Sequence, residues 1–416
     1  MSAVYRPLSR PPASSFLHAN ASLSNYLQFA VLNQPQVEQV YYDWFASVQR
    51  ITVERSLPDP RLNFETDIAD MVMSLMPGVM MDFPGPGKLT AAANVATAES
   101  DAKYFAFEAA VLQAAFALKK AYYELHFLSA KVGVHQETLR LVGEIEKLAR
   151  AQNEVGKVSL QDVLRAQIEQ ERLTTEIENL EDSRNPLLAE FKAALGLKAE
   201  DAPPIPRAFE STPLDVTSEK VFAAALARNP RLRAMEAEVR IADASIRLAA
   251  KARVPDFSAG IEADVKASPI MVRPSLGVTL PIWRDKIAAQ IAGAQASKRA
   301  AEARLTAEQI MLAVEFAEKS FMFREASRNL ALLAERLLPK ARQSLDVAQS
   351  GYVSGKVDFL NLLDAERTLL DFELSEVDAR VQRELALAEL SLLIGTRPAG
   401  APLLEVERIA RKEKKL

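Results

Sequence analysis

Cysteine is absent from the 416 residues of this sequence, and its absence excludes several classes of site. Without a thiol the chain holds no disulfide, no thiolate nucleophile, no cysteine-rich zinc site and no lipid-bearing N-terminal cysteine. A cysteine-free chain suits an oxidising compartment and many cytosolic proteins equally well. The first 22 residues also lack the basic-then-apolar pattern of a signal peptide, so either the protein is not exported or a leader has been removed.

Long apolar runs and a large excess of charge are missing too. No stretch of about eighteen apolar residues occurs, and 25% of the chain is charged at a mean hydropathy of -0.04, which excludes a polytopic helical membrane protein. The net charge of -4 gives no field that attracts nucleic acid. No G-x-S-x-G motif, phosphate loop or pair of catalytic carboxylates is present, so the sequence predicts neither an enzyme nor a cofactor.

Candidate metal ligands are few. The sequence has three histidines, His18, His126 and His135. The last two are nine residues apart, which places them on opposed faces of a helix. Half of the methionines lie in Met71–Met81, and thioethers suit soft monovalent copper or silver, with Met76 and Met80 as candidates to face a lumen. Methionine that fills a β-hairpin is the simpler interpretation, so no metal site is predicted.

One segment of the chain recurs 199 residues later. GKVSLQDVLRAQ at 156–167 is matched by GKVDFLNLLDAE at 355–366, and the ungapped match runs from 149/348 to 196/395. We interpret this match as an internal duplication. It predicts an N-terminal extended segment (1–21), a first repeat (22–201), a linker (202–217), a second repeat (218–396) and a C-terminal tail (397–416).

Each repeat is predicted to contain two helices, two strands, a very long helix, a turn and another long helix. No proline lies in 88–155, and Pro339 and Gly293 are the only breakers in 284–350. About 65 helical residues at 1.5 Å each give a rod of roughly 100 Å. Apolar residues recur every seven positions along these segments, which favours supercoiled packing. The two Gly-Lys-Val turns then lie at the tips of two long helical hairpins.

The short segments between the helices alternate with period two. In FSAGIEADVKA (257–267), Phe257, Ile261 and Val265 face one side, whereas Glu262 and Lys266 face the other. PIMVRPSLGVTLPIW (269–283) and residues 62–68 alternate in the same way, which predicts β-hairpins at about 61–84 and about 256–283. Such alternation with an aromatic residue at the edge is typical of transmembrane β-barrel strands, although a soluble half-buried sheet gives the same pattern for a single strand.

Four strands cannot close a barrel. Open sheet edges in lipid leave unpaired backbone groups, each of which costs several kcal/mol. We therefore expect the chain to oligomerise around a shared pore, at least as a dimer, with the polar strand faces lining that pore.

Several segments carry a resemblance to a known family. They are NPRLRAMEAEVRIADASI (229–246), LPIWRDKIAAQIAGAQASKRAAEA (280–303) and, most specifically, residues 348–395, which begin AQSGYVSGKVDFLNLLDAERTLL. These segments resemble the outer-membrane efflux family, the TolC-like channels, and the resemblance covers about Ser22 to Gly395. DFPGPGKLTAAANVATAESDA (82–102) is similar to the branch of that family paired with heavy-metal exporters.

The resemblance implies an α+β fold, mainly α, in a homotrimer. Each chain would give four strands to a twelve-stranded transmembrane β-barrel and its coiled-coil helical hairpins to a periplasmic α-barrel. The function implied is a passive exit duct in the lipid of the Gram-negative outer membrane. Its partners would be a periplasmic adaptor (membrane fusion) protein and an energised inner-membrane transporter, of the RND type.

In this family the hairpin tips form the periplasmic mouth, where the channel is held closed. Carried over by position, the resemblance places the gate at Asp364, Asn361, Tyr352, Asp162 and Arg165. Asn361 stands where the family has an aspartate, which weakens the acidic constriction. Val357 stands where a gating arginine can occur, which disfavours a tyrosine–arginine latch. Three Asp364 carboxylates in a ring would favour cations, and the alternative is that Asp364 only solvates a helix start.

The adaptor-docking candidates are the residues of the two turns: Gly156, Lys157, Val158, Gly355, Lys356 and Val357. A valine beside an exposed lysine offers an apolar anchor and a charge, whereas the alternative is a plain helix-hairpin turn. Two rival functions also use long helices. A periplasmic coiled-coil adaptor has one hairpin between glycine-rich β halves, and a soluble helical scaffold has no sheet that lines a pore. Two hairpins with four strands favour the channel.

Overall fold

The structure is a computed structural model that describes residue 17 and residues 21–68, 72–201 and 220–395. The expected linker (202–217) and C-terminal tail (397–416) lie outside the described residues, as does the expected N-terminal segment apart from Leu17 and Ala21. The first half contains α1 (Leu23–Asn33), α2 (Pro35–Arg55), β1 (Arg61–Ile68), β2 (Val72–Phe83), α3 (Lys88–Glu154), α4 (Leu160–Asp182) and α5 (Arg184–Ala194).

The second half has the same order of elements. It contains α6 (Lys220–Arg228), α7 (Pro230–Ala250), β3 (Asp256–Asp264), β4 (Met271–Thr279), α8 (Arg284–Leu332), α9 (Leu338–Val353) and α10 (Phe359–Leu393). The predicted α+β class, mainly α, is confirmed. Among the residues that the structure describes, no helix carries a stretch sufficiently long and apolar to cross a membrane.

Proline decides where the long helices break. α3 runs for 67 residues without one. Between α8 and α9 the residues Leu333–Leu337 form a π-helical turn immediately ahead of Pro339, where the missing N–H and the ring's clash with the preceding turn disturb the helical ladder. The single long helix expected after residue 156 is in fact two, α4 and α5, because Pro186 cannot donate to the carbonyl of Asp182.

The chain divides into two compact units, and each draws on both repeats. The hairpin unit falls within residues 1–38, 110–227 and 312–416, and the strand unit falls within 39–109 and 228–311. The strand unit holds one antiparallel sheet in the order β1-β2-β3-β4, so that β1 and β4 are its edges.

The two faces of this sheet differ as the alternation predicted. Leu62, Val79 and Ile261 form one cross-strand row on the apolar face. That face is open, and Leu276 of β4 retains 88% of its accessible surface. The opposite face is polar, and Glu262 pairs there with Arg273 across β3 and β4. A contiguous exposed apolar face of this kind marks a surface that binds lipid or protein.

Met76, one of the two candidate methionines for a soft-metal site, contacts a cationic side chain. Met76 lies on the polar face and is buried, and its sulfur accepts from the Nη1 of Arg273 at 3.6 Å. A guanidinium at the thioether opposes a second cation there. Met71 and the side chain of Met73 lie outside the described residues. No group of three or more histidine or acidic residues in the described part of the chain is arranged to hold a metal ion.

The helices of the strand unit are held by rings and ion pairs. Tyr41 and Trp44 of α2 pack against Phe107 of α3, with the Tyr41 and Phe107 ring centroids 5.7 Å apart. Between α7 and α8, the Nζ of Lys298 lies 2.8 Å from a carboxylate oxygen of Asp243. These contacts hold α2 against α3 and α7 against α8.

In its described residues the hairpin unit has two large apolar cores and a smaller cluster of Val142, Leu173 and Leu370. One joins α1, α3 and α5 around Tyr26, Leu118 and Phe191, all fully buried. The amide of Asn33 ties the end of α1 to α5, because its Nδ2 donates to the carbonyls of Leu195 and Gly196 at 2.9 and 3.0 Å. The other core lies at the far ends of the two helical hairpins.

Candidate functional site

The helical hairpins reverse at two turns with the same hydrogen bonds. We call residues 155–159 tip 1 and residues 354–358 tip 2. In tip 1 the N–H of Gly156 donates to Asn153 and that of Lys157 to Gln152, both at 2.9 Å. In tip 2 the N–H of Gly355 donates to Tyr352 at 3.1 Å and that of Lys356 to Gly351 at 2.8 Å. Both turns are Schellman motifs.

Glycine is required at the centre of each turn. Gly156 has a φ of +71° and Gly355 a φ of +73°, a left-handed conformation that side chains with a Cβ disfavour. The next helices then begin with side-chain caps. The hydroxyl of Ser159 accepts from the N–H of Gln161 at 3.1 Å, and the carboxylate of Asp358 accepts from the N–H of Asn361 at 3.0 Å.

The two hairpins share one core behind the tips, which we call the tip cluster. Its buried members come from α3, α4, α9 and α10, with Phe359 at the start of α10: Ile145, Ala149, Val163, Ala166, Leu338, Ala341, Leu345, Ala348, Tyr352, Phe359, Leu362, Leu363 and Leu369. Hairpin 1 (α3–α4) thus packs directly on hairpin 2 (α9–α10). We call this contact the intrachain seam.

An open groove of about 920 Å³ lies between the tips. Of the predicted gate and docking residues, all but Gly156 and Asp364 line it. Across the seam, the Nε2 of Gln152 donates to the carbonyl oxygen of Tyr352 at 3.3 Å. The structure therefore brings together at one groove residues that are about 200 positions apart in the sequence.

The side chain of Tyr352 is held in place by packing. It is buried in the tip cluster, its ring meets Phe359 edge to face at 5.8 Å, and its hydroxyl has no hydrogen-bond partner among the described residues. Burial, together with the nearby carboxylate of Asp162, raises the pKa of Tyr352 to about 12. The hydroxyl is therefore neutral throughout the physiological range.

Asp162 and Arg165 lie on the first turns of α4 and form a loose pair, with the carboxylate and guanidinium atoms 3.9 Å apart. Burial raises the pKa of Asp162, Arg165 opposes that rise, and Asp358 of tip 2 adds to it. Two carboxylates thus repel each other across the groove, with one arginine to offset them.

Asn361 and Asp364 are exposed one turn apart on α10. Asn361 lines the groove, whereas Asp364 lies beyond it. Asp364 therefore lies one helical turn further along α10 than the groove-lining Asn361.

The docking candidates divide into exposed and packed residues. Lys157 and Lys356 are exposed, but Val158 is half-buried against the tip cluster. Val357 is half-buried over Gly351, where a Cβ would lie only 2.4 Å from the valine Cγ2. Both valines are thus packed against neighbouring residues and present little apolar surface.

Sequence reasoning missed the apolar side chains that the tips do expose. They are Val155, Leu160, Val353 and Leu360, with exposures of 68%, 60%, 53% and 51%. The signal available in the sequence was their position beside the glycine turns.

A buried acidic pair behind the tips was also missed. Glu169 of α4 is 1% exposed and accepts from Arg367 of α10 and, at 3.4 Å, from Arg172. Glu366 of α10 is 2% exposed, and neither of its carboxyl oxygens has a hydrogen-bond partner in the described part of the chain.

Comparison with known proteins gives one family. The model of the family described as "Outer membrane efflux protein" matches residues 27–197 and 221–396. Its two matched segments correspond to the two halves of the chain, and together they cover most of it.

Individual relatives agree with that match. The cobalt-zinc-cadmium resistance protein CzcC of Cupriavidus metallidurans is 25% identical over 246 residues, which are 58% of this chain and 57% of the relative. The chain thus matches just over half the length of this curated relative. A membrane protein from Pseudomonas aeruginosa superposes with a TM-score of 0.79 at 20% identity, covering 98% of this chain and 99% of that one.

A second solved structure has the same fold. The open state of the MtrE outer membrane channel of Neisseria gonorrhoeae superposes with a TM-score of 0.76 at 16% identity, covering 96% of each chain. At these identities the likeness shows a shared fold.

Proposed function

Because this chain belongs to the outer membrane efflux protein family, we propose that it is the exit duct of a tripartite efflux pump. Members of this family are channels of the outer membrane that extend into the periplasm, and they are not enzymes. The duct would conduct substrates passively from periplasm to exterior and be gated at the tips. One observation carries this proposal: a sheet with an open apolar face stands on the same chain as two helical hairpins that meet at a shared groove.

The sheet supports a barrel shared between copies. Its apolar face suits lipid and its polar face suits a watery lumen. Each edge strand, β1 and β4, is paired on one side only within the part of the chain that the structure describes, and unpaired strand edges are not tolerated in a hydrocarbon layer. Three copies would close twelve strands, which agrees with the homotrimer of the family.

The hairpins support the same assembly through positions that correspond between the repeats. Phe359 and Leu363 of hairpin 2 are buried in the intrachain seam. Their counterparts in hairpin 1, Leu160 and Leu164, are 60% and 49% exposed. The same side of the hairpin is therefore covered in one repeat and open in the other.

The complementary side shows the reverse pattern. Leu148 of hairpin 1 packs against the tip cluster, whereas its counterpart Val347 in hairpin 2 is 63% exposed. Hairpin 2 of one copy can therefore cover Leu160 and Leu164 of the next copy by repeating the intrachain contact. Such head-to-tail contacts generate a ring when the rotation closes. We call this proposed contact the interchain seam.

In the assembled channel the five gate residues would surround the mouth: Asp364, Asn361, Tyr352, Asp162 and Arg165. The exposed Asp364 is the one we assign to the constriction, because three copies would concentrate three carboxylates on one axis. Tyr352 would contribute by filling the seam, since its hydroxyl has no hydrogen-bond partner in the described part of the chain.

A periplasmic adaptor would dock on the turns, with Lys157 and Lys356 as exposed charges. Gly156 and Gly355 would hold the turn shape, and Val158 and Val357 would act through packing within each hairpin. The adaptor would connect the duct to an inner-membrane transporter of the RND type.

The relative CzcC is named for resistance to cobalt, zinc and cadmium, so we propose divalent metal cations as the first cargo to test. A strain lacking this chain should become sensitive to salts of these metals, and the wild-type copy should restore growth. If the strain lacking this chain grows normally on metal salts but is sensitive to organic compounds, the cargo is organic compounds rather than metal cations.

Liposomes that carry the purified protein test the channel itself. We expect ion conductance and, in detergent, particles with threefold symmetry. A soluble scaffold or a periplasmic adaptor would instead stay in solution without detergent and leave the liposomes sealed. Either of these results would refute the duct.

A further inference from the structure

Glu366 is a buried carboxylic acid whose oxygens accept no hydrogen bond in the described part of the chain. It lies on α10 within the intrachain seam, 2% exposed, and both carboxyl oxygens are buried without a partner among the described residues. A buried ionised carboxylate with no hydrogen bond is strongly disfavoured, whereas the protonated acid is neutral and is tolerated at a much smaller cost.

The charged groups around Glu366 increase this preference. Glu169 of α4 repels its charge, and Asp371 of α10 adds to that repulsion. Arg367 and Arg172 favour the charge, but both already donate to Glu169. No charged group of α3 or α9 is among those acting on Glu366. Burial first, and Glu169 next, raise the pKa of Glu366 to about 7.

The corresponding position in the first repeat carries a neutral amide. It is Gln167, which is half-buried and donates to Glu146 within hairpin 1 at 3.1 Å. A neutral side chain of the same length is therefore accommodated at this place in the hairpin, and only hairpin 2 has a group that titrates there.

We propose that Glu366 is a proton-dependent clamp between the two hairpins of one chain. When protonated, it allows α10 and α4 to pack together behind the tips. When ionised, it favours a separation of the helices that admits water to the carboxylate. That this separation opens the mouth of a duct rests on the proposed function; the clamp itself does not.

The direction of the pH dependence follows from the number of protons that each state binds. The packed state holds its proton up to a pH of about 7, whereas a solvated glutamate loses its proton near its ordinary pKa of 4.5. Packing is therefore strongest below pH 4.5, weakens as the pH rises to 7, and changes little above that. Between pH 5 and pH 8 the ratio of packed to separated hairpins should fall about 70-fold.

Because the chain has no native cysteine, spin labels can be attached at two chosen positions. We choose Gln161→Cys and Leu360→Cys, which are exposed on the first turns of α4 and α10. Full-length labelled protein is mixed with excess unlabelled protein, so that each assembly contains one labelled chain. The distance between the two labels is then measured by pulsed electron–electron double resonance from pH 5 to pH 8.

We expect the label distance to lengthen or broaden as the pH rises, and Glu366→Gln to hold the short distance at every pH. The matched control is Glu373→Gln on the same helix, an ion-paired glutamate that should leave the wild-type response intact. If Glu366→Gln does not fold, Glu366→Leu is the second neutral variant.

A wild-type distance that does not change with pH overturns the proposal, as does a Glu366→Gln variant that responds like the wild type. Liposome conductance separates the two proposals. A clamp that responds to pH in a protein that never conducts refutes the duct alone, and a conducting channel whose label distances ignore pH refutes the clamp alone.

Discussion

Replacing Leu160 and Leu164 by alanine should weaken the trimer while leaving the single chain stable. Full burial of a leucine stabilises by about 1.5–3 kcal/mol, and these two side chains are 60% and 49% exposed in the chain. The interchain seam would therefore gain roughly 2 kcal/mol from the pair, or about 6 kcal/mol over three seams. Phe359→Ala, at the corresponding buried position, should instead cost the chain itself about 3–5 kcal/mol.

Heating detergent-solubilised protein and measuring the trimer fraction by mass photometry tests this prediction. Trimers of the Leu160→Ala, Leu164→Ala variant should dissociate at a lower temperature, with helical circular dichroism retained in the separated chains. Val53→Ala on α2 is the matched control, since Val53 is 69% exposed and far along the sequence from the tips. Wild-type trimer stability in the double variant would show that this face of hairpin 1 is not an interchain contact.

Three further predictions concern the tips. Gly355→Ala should destabilise tip 2 by about 1–2 kcal/mol because of its positive φ. Gly133→Ala, at an exposed helical site with open space around it, should instead stabilise the chain by about 0.5–1 kcal/mol. Thermal unfolding would contradict this prediction if both variants moved the melting temperature in the same direction. Tyr352→Phe should leave resting conductance unchanged, because the tyrosine hydroxyl has no hydrogen-bond partner among the described residues. A higher resting conductance in this variant would mean that the hydroxyl forms a hydrogen bond in the assembled channel. Asp364→Asn should lower cation selectivity, measured as the reversal potential across a salt gradient, and Asn361→Asp should raise it; unaltered potentials would remove both from the constriction.

Features that depend on neighbouring residues in the chain could be predicted from the sequence. The Gly-Lys-Val turns close as Schellman motifs because a glycine after a helix admits a positive φ wherever the helix lies. The faces of β3 follow from the period of two, and the length of α3 follows from the lack of proline. The break between α4 and α5 was equally local, since Pro186 was visible in the sequence.

Features that depend on which helix packs on which could not be predicted. Leu164 and Leu363 are the same residue at corresponding positions, yet one is half exposed and the other is buried. Glu366 reads as an ordinary helical glutamate until α4 covers it. Tyr352 reads as a hydrogen-bonding residue until its surroundings prove apolar. In each case the environment is set by the partner hairpin, and the local pattern does not contain it.

The difference between the repeats also predicts how the assembly would respond to pH. Glu366 lies in the intrachain seam, and its counterpart Gln167 belongs to the hairpin that faces the proposed interchain seam. An amide does not titrate, so raising the pH should loosen alternate seams around the ring and leave the contacts between chains in place. The trimer fraction measured by mass photometry should therefore be equal at pH 5 and pH 8 under conditions where the label distance changes. If the trimer dissociates at pH 8 and Glu366→Gln prevents this dissociation, the proton acts on the contact between chains. The interchain seam, rather than the intrachain seam, would then be the one that responds to pH.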